Sequence, residues 1–415
     1  MTKMKTNIVY NFDSRKLSDV ISEDTKVQTT ITSPPYFDMK DYGVDGQVGY
    51  GQKYDTYLED LKTIFAQIYN YTKEDGTLWI IIDTFKRNNT VVTLPFDLVQ
   101  KLKEVGWLLQ EIIIWKKDKT VPWSSNGFMQ RKFEYILFFS KGDKYKTNKD
   151  NVRIYDTQQL KRWWIKYPER YNPKGKALDE IWEFPIPVQG SWGSEYIRHF
   201  CPLPKEMVAT MISISTDEND IVFDPFAGSG TVMSQAAYMN RQYLGVELNN
   251  TYIEMFNNYL RKTLEEGQKE YTNILNVNDQ NSFENTILDL RALKYGRVLL
   301  NKIEEKMNKR SLKVFVQRLP SQRLEKQRVE YSFYGEYDAD QVKELIPEII
   351  NIPPLSKFGI IPEFKYKKTF EPLKYPYYLY SKTNTYSYMR DADFSDPKVK
   401  VISHIKVNLH EKDYE

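Results

Sequence analysis

A short run of β-branched residues that ends at two prolines places the strongest constraint on how this chain can fold. Residues 27–36 read Val-Gln-Thr-Thr-Ile-Thr-Ser-Pro-Pro-Tyr, and the valine, isoleucine and threonine predict a buried strand. Each proline fixes its φ angle and lacks a backbone N–H group, so strand pairing stops at Pro34. The carbonyl groups of Ser33 and Pro34 are then free to accept hydrogen bonds. The sequence therefore predicts a rigid strand end that presents a hydroxyl group, carbonyl oxygens and an aromatic ring.

This strand end suits chemistry on the exocyclic amine of a nucleobase. The hydrogens of such an amine must be held by acceptors while the planar base is gripped by its face. Ser33 and the carbonyl group of Pro34 supply acceptors, and Tyr36 supplies a stacking surface. The alternative is a proline-closed loop after an ordinary strand, which these residues alone do not exclude.

A second constraint is a glycine-rich turn between a predicted strand and a predicted helix, at residues 221–231. Gly228 and Gly230 let the backbone approach a ligand closely, and a helix that starts near Thr231 offers free amide groups. The turn is not a Walker phosphate-binding loop, because no Gly-Lys-Ser/Thr follows it. A further predicted strand ends at Glu247, where an acidic residue in nucleotide-binding folds contacts ribose hydroxyls.

The two motifs together strongly resemble those of the amino-type DNA methyltransferases, which use S-adenosylmethionine. The resemblance rests on Thr-Ser-Pro-Pro-Tyr at residues 32–36 and on Asp-Pro-Phe-Ala-Gly-Ser-Gly at residues 224–230. Because the base-binding motif precedes the cofactor motif, the order is similar to that of the circularly permuted beta group. The resemblance covers roughly residues 7–265 and leaves the last third of the chain unexplained.

The resemblance implies an α/β fold of the Rossmann-like methyltransferase class, with a mostly parallel sheet of seven strands. We expect residues 1–142 to form the base-binding half and residues 196–271 the cofactor-binding half, with a target-recognition region inserted at residues 143–195. Residues 272–415 are expected to form a C-terminal accessory domain, in which a basic helix over residues 290–330 precedes a mixed segment rich in tyrosine and lysine. For this domain we favour a role in DNA contact or target specificity over a role in oligomerisation or structural support.

The resemblance also implies the site residues. The catalytic residues are Ser33, Pro34, Pro35 and Tyr36. The cofactor-binding residues are Asp13, Thr32, His199, Pro202, Asp224, Phe226, Ala227, Gly228, Ser229, Gly230, Thr231 and Glu247. Asp13 matches the family residue that contacts the adenine amine, although a helix N-cap is an equally good interpretation. Phe133 and Tyr135 either face the base pocket or pack within the sheet.

Cysteine, histidine and charge content limit the chemistry and the partners. The single cysteine, Cys201, excludes an intramolecular disulfide, and it precedes a proline, unlike the nucleophile of cytosine carbon-5 methylation. The three histidines are spread along the chain, so no metal site is predicted. Net charge is only +3, but residues 116–176 contain 16 Lys or Arg against 6 Asp or Glu, and residues 291–328 contain 12 against 3. Such clusters are typical of a phosphate-binding face, with a solvated surface as the alternative.

Together these observations predict an S-adenosylmethionine-dependent methyltransferase that flips cytosine out of double-stranded DNA and methylates its N4 amine. Ser33 favours cytosine, because family members with aspartate at this position mostly act on adenine N6, which is the alternative. An inactive DNA-binding module and an RNA methyltransferase are further alternatives. The absence of a long apolar run and of a signal peptide predicts a cytoplasmic protein, and a cognate restriction endonuclease is a candidate partner.

Overall fold

The computed structural model describes most of the first 265 residues and a smaller part of the remainder. The described residues are 6–118, 129, 131–155, 171–172, 174–187, 202–265, 301, 304–306 and six C-terminal strands. The chain divides into two compact units, one of residues 1–154 and 177–275 and the other of residues 155–176 and 276–415.

The first unit has a β-sheet between two layers of α-helices. Its strands are β1 (Ile8–Asn11), β2 (Val27–Thr32), β3 (Thr72–Ile82), β4 (Phe85–Arg87), β5 (Thr90–Val92), β6 (Leu108–Lys116), β7 (Phe133–Ser140), β8 (Ile181–Glu183), β9 (Ile221–Asp224) and β10 (Gln242–Glu247). Its α-helices are α1 (Tyr54–Tyr71), α2 (Leu94–Val105), α3 (Lys205–Ser215), α4 (Thr231–Tyr238) and α5 (Asn250–Glu265). Short 3-10 helices lie at Ser14–Asp19 and Lys149–Val152.

The central sheet has eight strands in the order β1-β10-β9-β2-β3-β7-β6-β8. All neighbouring pairs are parallel except those of β7, which runs antiparallel to both β3 and β6. The expectation of a mostly parallel sheet is confirmed, but the expected count of seven strands is wrong. The additional strand is β8, whose three residues are too few to produce a periodic pattern in the sequence. The circular permutation stays a prediction.

Helices cover both faces of this sheet, which explains the nearly continuous apolar sequence of β3. Leu78, Ile80 and Ile82 point to the face that α1 and α2 cover. Trp79 and Ile81 point to the opposite face, where they pack with side chains of α3. The indole N–H of Trp79 donates to a hydroxyl group of α3, so the largest buried side chain of β3 is also satisfied.

The described start of the predicted target-recognition region, residues 143–155, lies mostly in the first unit. The backbone N–H of Asn148 donates to the carbonyl of Ile214 at 2.6 Å. The ammonium of Lys146 lies 2.8 Å from a carboxylate oxygen of both Asp217 and Asp220. These contacts attach the segment to the end of α3. Most of the remaining predicted region, with Trp163 and Trp164, lies outside the described residues.

The second unit contains a six-stranded antiparallel sheet in the order β13-β16-β12-β11-β14-β15. Its strands are β11 (Lys313–Leu319), β12 (Lys326–Tyr334), β13 (Ile361–Lys365), β14 (Tyr377–Tyr380), β15 (Tyr386–Met389) and β16 (Val401–His410). The predicted basic helix is wrong where it overlaps β11 and β12. Valine and phenylalanine in β11, and valine, tyrosine and phenylalanine in β12, are good strand formers, which helical periodicity did not reveal.

Within the part of the chain that the structure describes, no helix combines the length and the apolar character needed to cross a bilayer. The same residues include no group of three or more His, Cys, Asp or Glu side chains arranged to hold a metal ion.

Candidate active site

A cavity of about 720 Å³ opens at the edge of the sheet where the parallel strands end. Its lining includes residues that follow β1, β2, β3, β6, β9 and β10, together with Glu134 near the start of the antiparallel strand β7. Ligands of open α/β sheets bind at this edge. The volume lies within the range of roughly 300–1,000 Å³ that is usual for small-molecule and cofactor sites.

Most of the predicted site residues lie together in this cavity. Those that line it are Asp13, Ser33, Pro34, Pro35, Tyr36, Pro202, Asp224, Phe226, Ala227, Gly228, Ser229, Thr231 and Glu247. Thr32 and Gly230 do not line it, and His199 lies outside the described residues. The structure thus brings the two sequence motifs to one site, because β2 and β9 are neighbours in the sheet.

A buried hydrogen bond joins the two motifs. The hydroxyl of Thr32 donates to a carboxylate oxygen of Asp224 at 2.6 Å, and the backbone N–H of Phe226 donates to the same oxygen at 3.0 Å. Asp224 is 3% exposed, and this burial raises its pKa to about 7, against the lowering effect of the two hydrogen bonds. Thr32 therefore positions Asp224 instead of facing a ligand.

Glu247 holds the glycine turn to the end of β10. One carboxylate oxygen accepts from the backbone N–H of Gly228 at 2.8 Å, and the other accepts from that of Asn249 at 2.8 Å. Burial raises the pKa of Glu247, and these backbone hydrogen bonds oppose the rise. A carboxylate oxygen accepts more than one hydrogen bond, so the side chain can still bind hydroxyl groups of a ligand in the cavity.

Gly230 packs closely against α5 and does not line the cavity. Its φ angle is +85°, and it directly precedes α4. A Cβ atom at this position would lie 2.6 Å from Cγ of Phe256, a side chain of α5 that is 1% exposed. The glycine therefore allows the turn and α5 to pack closely, which supports the residues that line the cavity.

We expect Gly230→Ala to lower the free energy of unfolding by about 2–5 kcal/mol, because left-handed backbone strain and overpacking act together. Gly43→Ala is the matched control, since Gly43 also has a positive φ angle, +73°, but has open space around its Cβ position. That control is expected to lose only about 1–2 kcal/mol from strain. Urea denaturation of both variants measures the difference, and equal losses would contradict the packing role.

Asp13 lies at the cavity wall and also serves as a helix N-cap. Its carboxylate accepts from the backbone N–H of Arg15 at 2.9 Å and forms an ion pair of 2.7 Å with the Arg15 guanidinium. Burial alone would raise its pKa, but the hydrogen bonds and charge of Arg15 lower the pKa of Asp13 overall. Arg15 also donates to the carbonyl of Gly46 at 2.7 Å, which anchors the loop after Tyr36.

At the other end of the cavity, Tyr36 is held by Glu134. The phenol donates to a carboxylate oxygen of Glu134 at 2.9 Å, and its oxygen lies 3.5 Å from the hydroxyl oxygen of Ser33. Burial, reinforced by the charge of Glu134, raises the pKa of Tyr36 well above its ordinary value, so the phenol remains a neutral donor. The carbonyl of Pro35 accepts from Tyr57 at 2.6 Å, whereas that of Pro34 accepts from none of the described residues.

Several cavity residues were missed at the sequence level. Asp83 follows β3 and Lys117 follows β6, and both line the cavity with Glu134. Phe133 and Tyr135 do not line it; their rings pack against each other, and Phe133 is 41% exposed. Side chains alternate along a strand, so Glu134 points to the cavity because its two neighbours point away. The position of Asp83 directly after an apolar strand was the available signal.

Comparisons with known proteins agree with this geometry. A family profile described as "DNA methylase" matches residues 27–258, and one described as "D12 class N6 adenine-specific DNA methyltransferase" matches residues 207–348. The Type II methyltransferase M.Cfr9I of Citrobacter freundii is 28% identical over 281 residues, which are 60% of this chain and 84% of that protein. The orphan methyltransferase M.BamHII of Bacillus amyloliquefaciens is 30% identical over 253 residues, 57% of this chain and 90% of that protein.

Among solved structures, the PvuII DNA methyltransferase (cytosine-N4-specific) is similar with a TM-score of 0.48 and 16% identity, over 69% of this chain and 94% of that one. The "DNA methylase" profile matches more than half of the 415 residues, and its span includes both the Ser-Pro-Pro-Tyr strand end and the glycine turn. M.BamHII is matched over nine tenths of its length. The chain therefore belongs to the DNA methylase family, the S-adenosylmethionine-dependent amino methyltransferases of DNA.

Proposed function

We propose that the protein methylates the N4 amine of cytosine in double-stranded DNA. The observation that carries the proposal is Ser33, which lies beside Tyr36. We call the part of the cavity that is lined by Ser33, Pro34, Tyr36, Asp83, Lys117 and Glu134 the base end. Family members that act on adenine N6 mostly have aspartate at this position, whereas those with serine mostly act on cytosine N4. The serine hydroxyl is thus the feature that favours cytosine.

The acidic groups at the other end of the cavity fit S-adenosylmethionine. This cofactor offers an adenine amine and ribose hydroxyls as donors, and the carboxylates of Asp13 and Glu247 line the cavity as acceptors. The start of α4, at Thr231, offers backbone amides that suit the carboxylate of the methionine part. When bound, the cofactor supplies an electrophilic methyl group on its sulfonium. In this proposal Glu247 binds the ribose and Asp13 the adenine.

The base end positions the amine that is methylated. Flipping the base costs a few kcal/mol, which stacking on Tyr36 offsets. The hydroxyl of Ser33 and the carbonyl of Pro34 accept hydrogen bonds from the amine and so fix the direction of its nitrogen. Positioning of this kind can supply several kcal/mol of the rate enhancement. The methylated amine then loses a proton, and the carboxylate of Asp83, which lines this end, is a group able to take it.

Adenine N6 is the second candidate substrate. The specific observation in its favour is the match of residues 207–348 to the D12 class of N6 adenine-specific enzymes, which includes the glycine turn and Glu247. A cognate restriction endonuclease also stays a proposal, because one relative is named a Type II methyltransferase and another an orphan methyltransferase.

The methylated base decides between these candidates. We expect genomic DNA from cells that express the protein to yield N4-methylcytidine after digestion to nucleosides, as measured by mass spectrometry against cells without the gene. N6-methyladenosine alone would defeat the cytosine assignment. Absence of both products, together with no heat of S-adenosylmethionine binding in calorimetry, would indicate an inactive DNA-binding module.

Competition between duplex DNA and RNA tests whether RNA is the substrate. Sequencing of the modified DNA identifies the target site.

A further inference from the structure

The base end of the cavity contains a cation that the proposed function leaves without a role. Lys117 follows directly after β6, and its ammonium forms an ion pair with one carboxylate oxygen of Glu134. The other oxygen of Glu134 accepts from the phenol of Tyr36 at 2.9 Å, and that phenol oxygen lies 3.5 Å from the hydroxyl oxygen of Ser33. A continuous series of polar contacts therefore joins the amine-binding hydroxyl to the ammonium.

The ammonium of Lys117 is fixed and partly removed from solvent. The side chain of Lys117 is 18% exposed and that of Glu134 is 13% exposed. The ammonium nitrogen also lies 5.3 Å from the centre of the Trp115 ring, a cation–π contact that limits its position further. Arg131, another cation of the lining, is 47% exposed and donates to the carbonyl and hydroxyl of Thr84. Lys117 is thus the more buried of these two cations.

An ammonium group recognises acceptors only, because it has three donors and no lone pair. Glu134 engages one of these donors. A flipped base is recognised along its Watson–Crick edge. In cytosine the N4 amine is followed along this edge by two acceptors, N3 and O2. In adenine the N6 amine is followed by a single acceptor, N1, and then by a C–H group.

We propose that Lys117 is a base-selecting residue, whose ammonium donates to N3 and O2 of the flipped cytosine while Ser33 holds the N4 amine. This inference rests on the proposed function, since it requires cytosine as the substrate. Glu134 is a positioning residue in this arrangement, because its carboxylate fixes both the ammonium of Lys117 and the phenol of Tyr36.

Lys117 would select cytosine because cytosine presents two acceptors beside its amine and adenine presents only one. Adenine in the same place would satisfy one donor of Lys117 and place a C–H group against another, although the side chain of Lys117 is only 18% exposed to water. An unpaired charged donor in a desolvated site is strongly unfavourable, so a site built to hydrogen-bond a substrate rejects an analogue that lacks the acceptor. Lys117 therefore complements Ser33, because one residue reads the amine and the other reads the edge beside it.

The test compares duplexes that contain the target sequence with either cytosine or 3-deazacytosine at the methylated position. In 3-deazacytosine a C–H group replaces N3, so one acceptor is lost while O2 and the N4 amine remain. We expect kcat/KM of the native protein to fall about 30-fold on the analogue, the usual effect of losing a hydrogen bond to a charged group. A fall of less than about 3-fold would overturn the proposal without any variant.

Lys117→Met supplies the second arm of the comparison. Its kcat/KM on cytosine is expected to be at least about 30-fold below that of the native protein, because contacts to both N3 and O2 are lost, with less than about 3-fold further loss on 3-deazacytosine. The matched control is Lys116→Met, at the neighbouring position. Lys116 is 53% exposed, pairs with Glu183 at 2.5 Å and does not line the cavity. This control is expected to retain the kcat/KM of the native protein on cytosine and the same loss of kcat/KM on 3-deazacytosine.

A merely structural role for Lys117 predicts a different pattern. Removal of the ammonium leaves the Glu134 carboxylate without its cation, which could disturb Tyr36 and lower the rate on every substrate. In that case Lys117→Met would keep the full penalty for 3-deazacytosine, and the proposal would be wrong. Lys117→Leu, which also lacks a donor, repeats the comparison if the methionine variant does not fold. Calorimetry with S-adenosylmethionine verifies that each variant retains its cofactor affinity.

The product formed by the native protein separates failure of this inference from failure of the proposed function. If unmodified duplex yields N6-methyladenine, the cytosine assignment is wrong and the role of Lys117 is wrong with it. If unmodified duplex yields N4-methylcytosine while Lys117→Met keeps the penalty for the analogue, only the role of Lys117 is wrong. N4-methylcytosine together with loss of the penalty in the variant supports both.

Discussion

Tyr36→Ala is expected to lower turnover about 10- to 100-fold, because stacking of a base on an aromatic side chain contributes roughly 1–3 kcal/mol. Affinity for S-adenosylmethionine is expected to remain almost unchanged, since the phenol contacts Glu134 and Ser33 at the base end and not the carboxylates at the cofactor end. Single-turnover methylation of a target duplex measures the first effect, and calorimetry measures the second.

Tyr36→Phe separates the ring from its hydroxyl group. The phenylalanine retains the stacking surface but no longer donates to Glu134, which keeps its ion pair with Lys117. We expect a loss of only about 3- to 10-fold in turnover, because one hydrogen bond is removed and the ring remains. Full activity of Tyr36→Ala would remove Tyr36 from the site, and equal losses in both variants would assign its role to the hydroxyl and not to stacking.

The sequence predicted those parts of the site whose conformation is set by residues within one short segment. Pro34 and Pro35 end a strand wherever the rest of the chain lies, because they lack the N–H groups that pairing requires. The glycine turn after β9 is equally local, since a positive φ angle at Gly228 and Gly230 is a property of the turn itself. Both segments could therefore be located before the arrangement of the sheet was known.

The charged residues of the base end could not be predicted in this way. Glu134 and Lys117 meet because β6 and β7 pair as antiparallel strands, and Asp83 joins them because β3 pairs with the other side of β7. Because side chains alternate along β7, the sequence predicts that Phe133 and Tyr135 lie on the same face of the sheet. It does not predict on which face the cavity lies. That choice depends on how helices pack on the two sides of the sheet, which is a long-range property.

Two residues predicted to contact the cofactor, Thr32 and Gly230, do not line the cavity, for a similar reason. Thr32 belongs to the same motif as Ser33, but the strand directs its hydroxyl to the neighbouring strand, where it donates to Asp224. Gly230 belongs to the same turn as Gly228, but the ring of Phe256 occupies the space beside it. A motif identifies the segment that forms a site, whereas the packing around it decides which of its residues face the ligand.

Asp224→Asn is expected to remove a pH dependence of folding stability on the order of a few kcal/mol. Burial raises the pKa of Asp224 from 3.8 to about 7, so the folded protein binds this proton more tightly than the unfolded chain does. Well below pH 3.8 the group is protonated in both states, and its ionisation has no effect on stability. As pH rises from there to about 7, only the unfolded chain readily releases the proton, and the folded protein loses stability. Asparagine is neutral throughout, and its carbonyl oxygen can still accept from Thr32 and Phe226.

Urea denaturation at a series of pH values from about 5 to 8 tests this expectation. The free energy of unfolding of Asp224→Asn should rise relative to the native protein as pH increases, because only the native protein must bury a charged carboxylate. Glu247, whose pKa burial also raises, is present in both proteins, and its charge contributes to the raised pKa of Asp224. Asp217→Asn is the matched control, since hydrogen bonds from Lys146 and Asn148 lower the pKa of Asp217 and leave it ionised in both states over this range. The free energy of unfolding of that control should differ from the native value by the same amount at every pH. A constant difference for Asp224→Asn as well would show that folding does not change the pKa of Asp224.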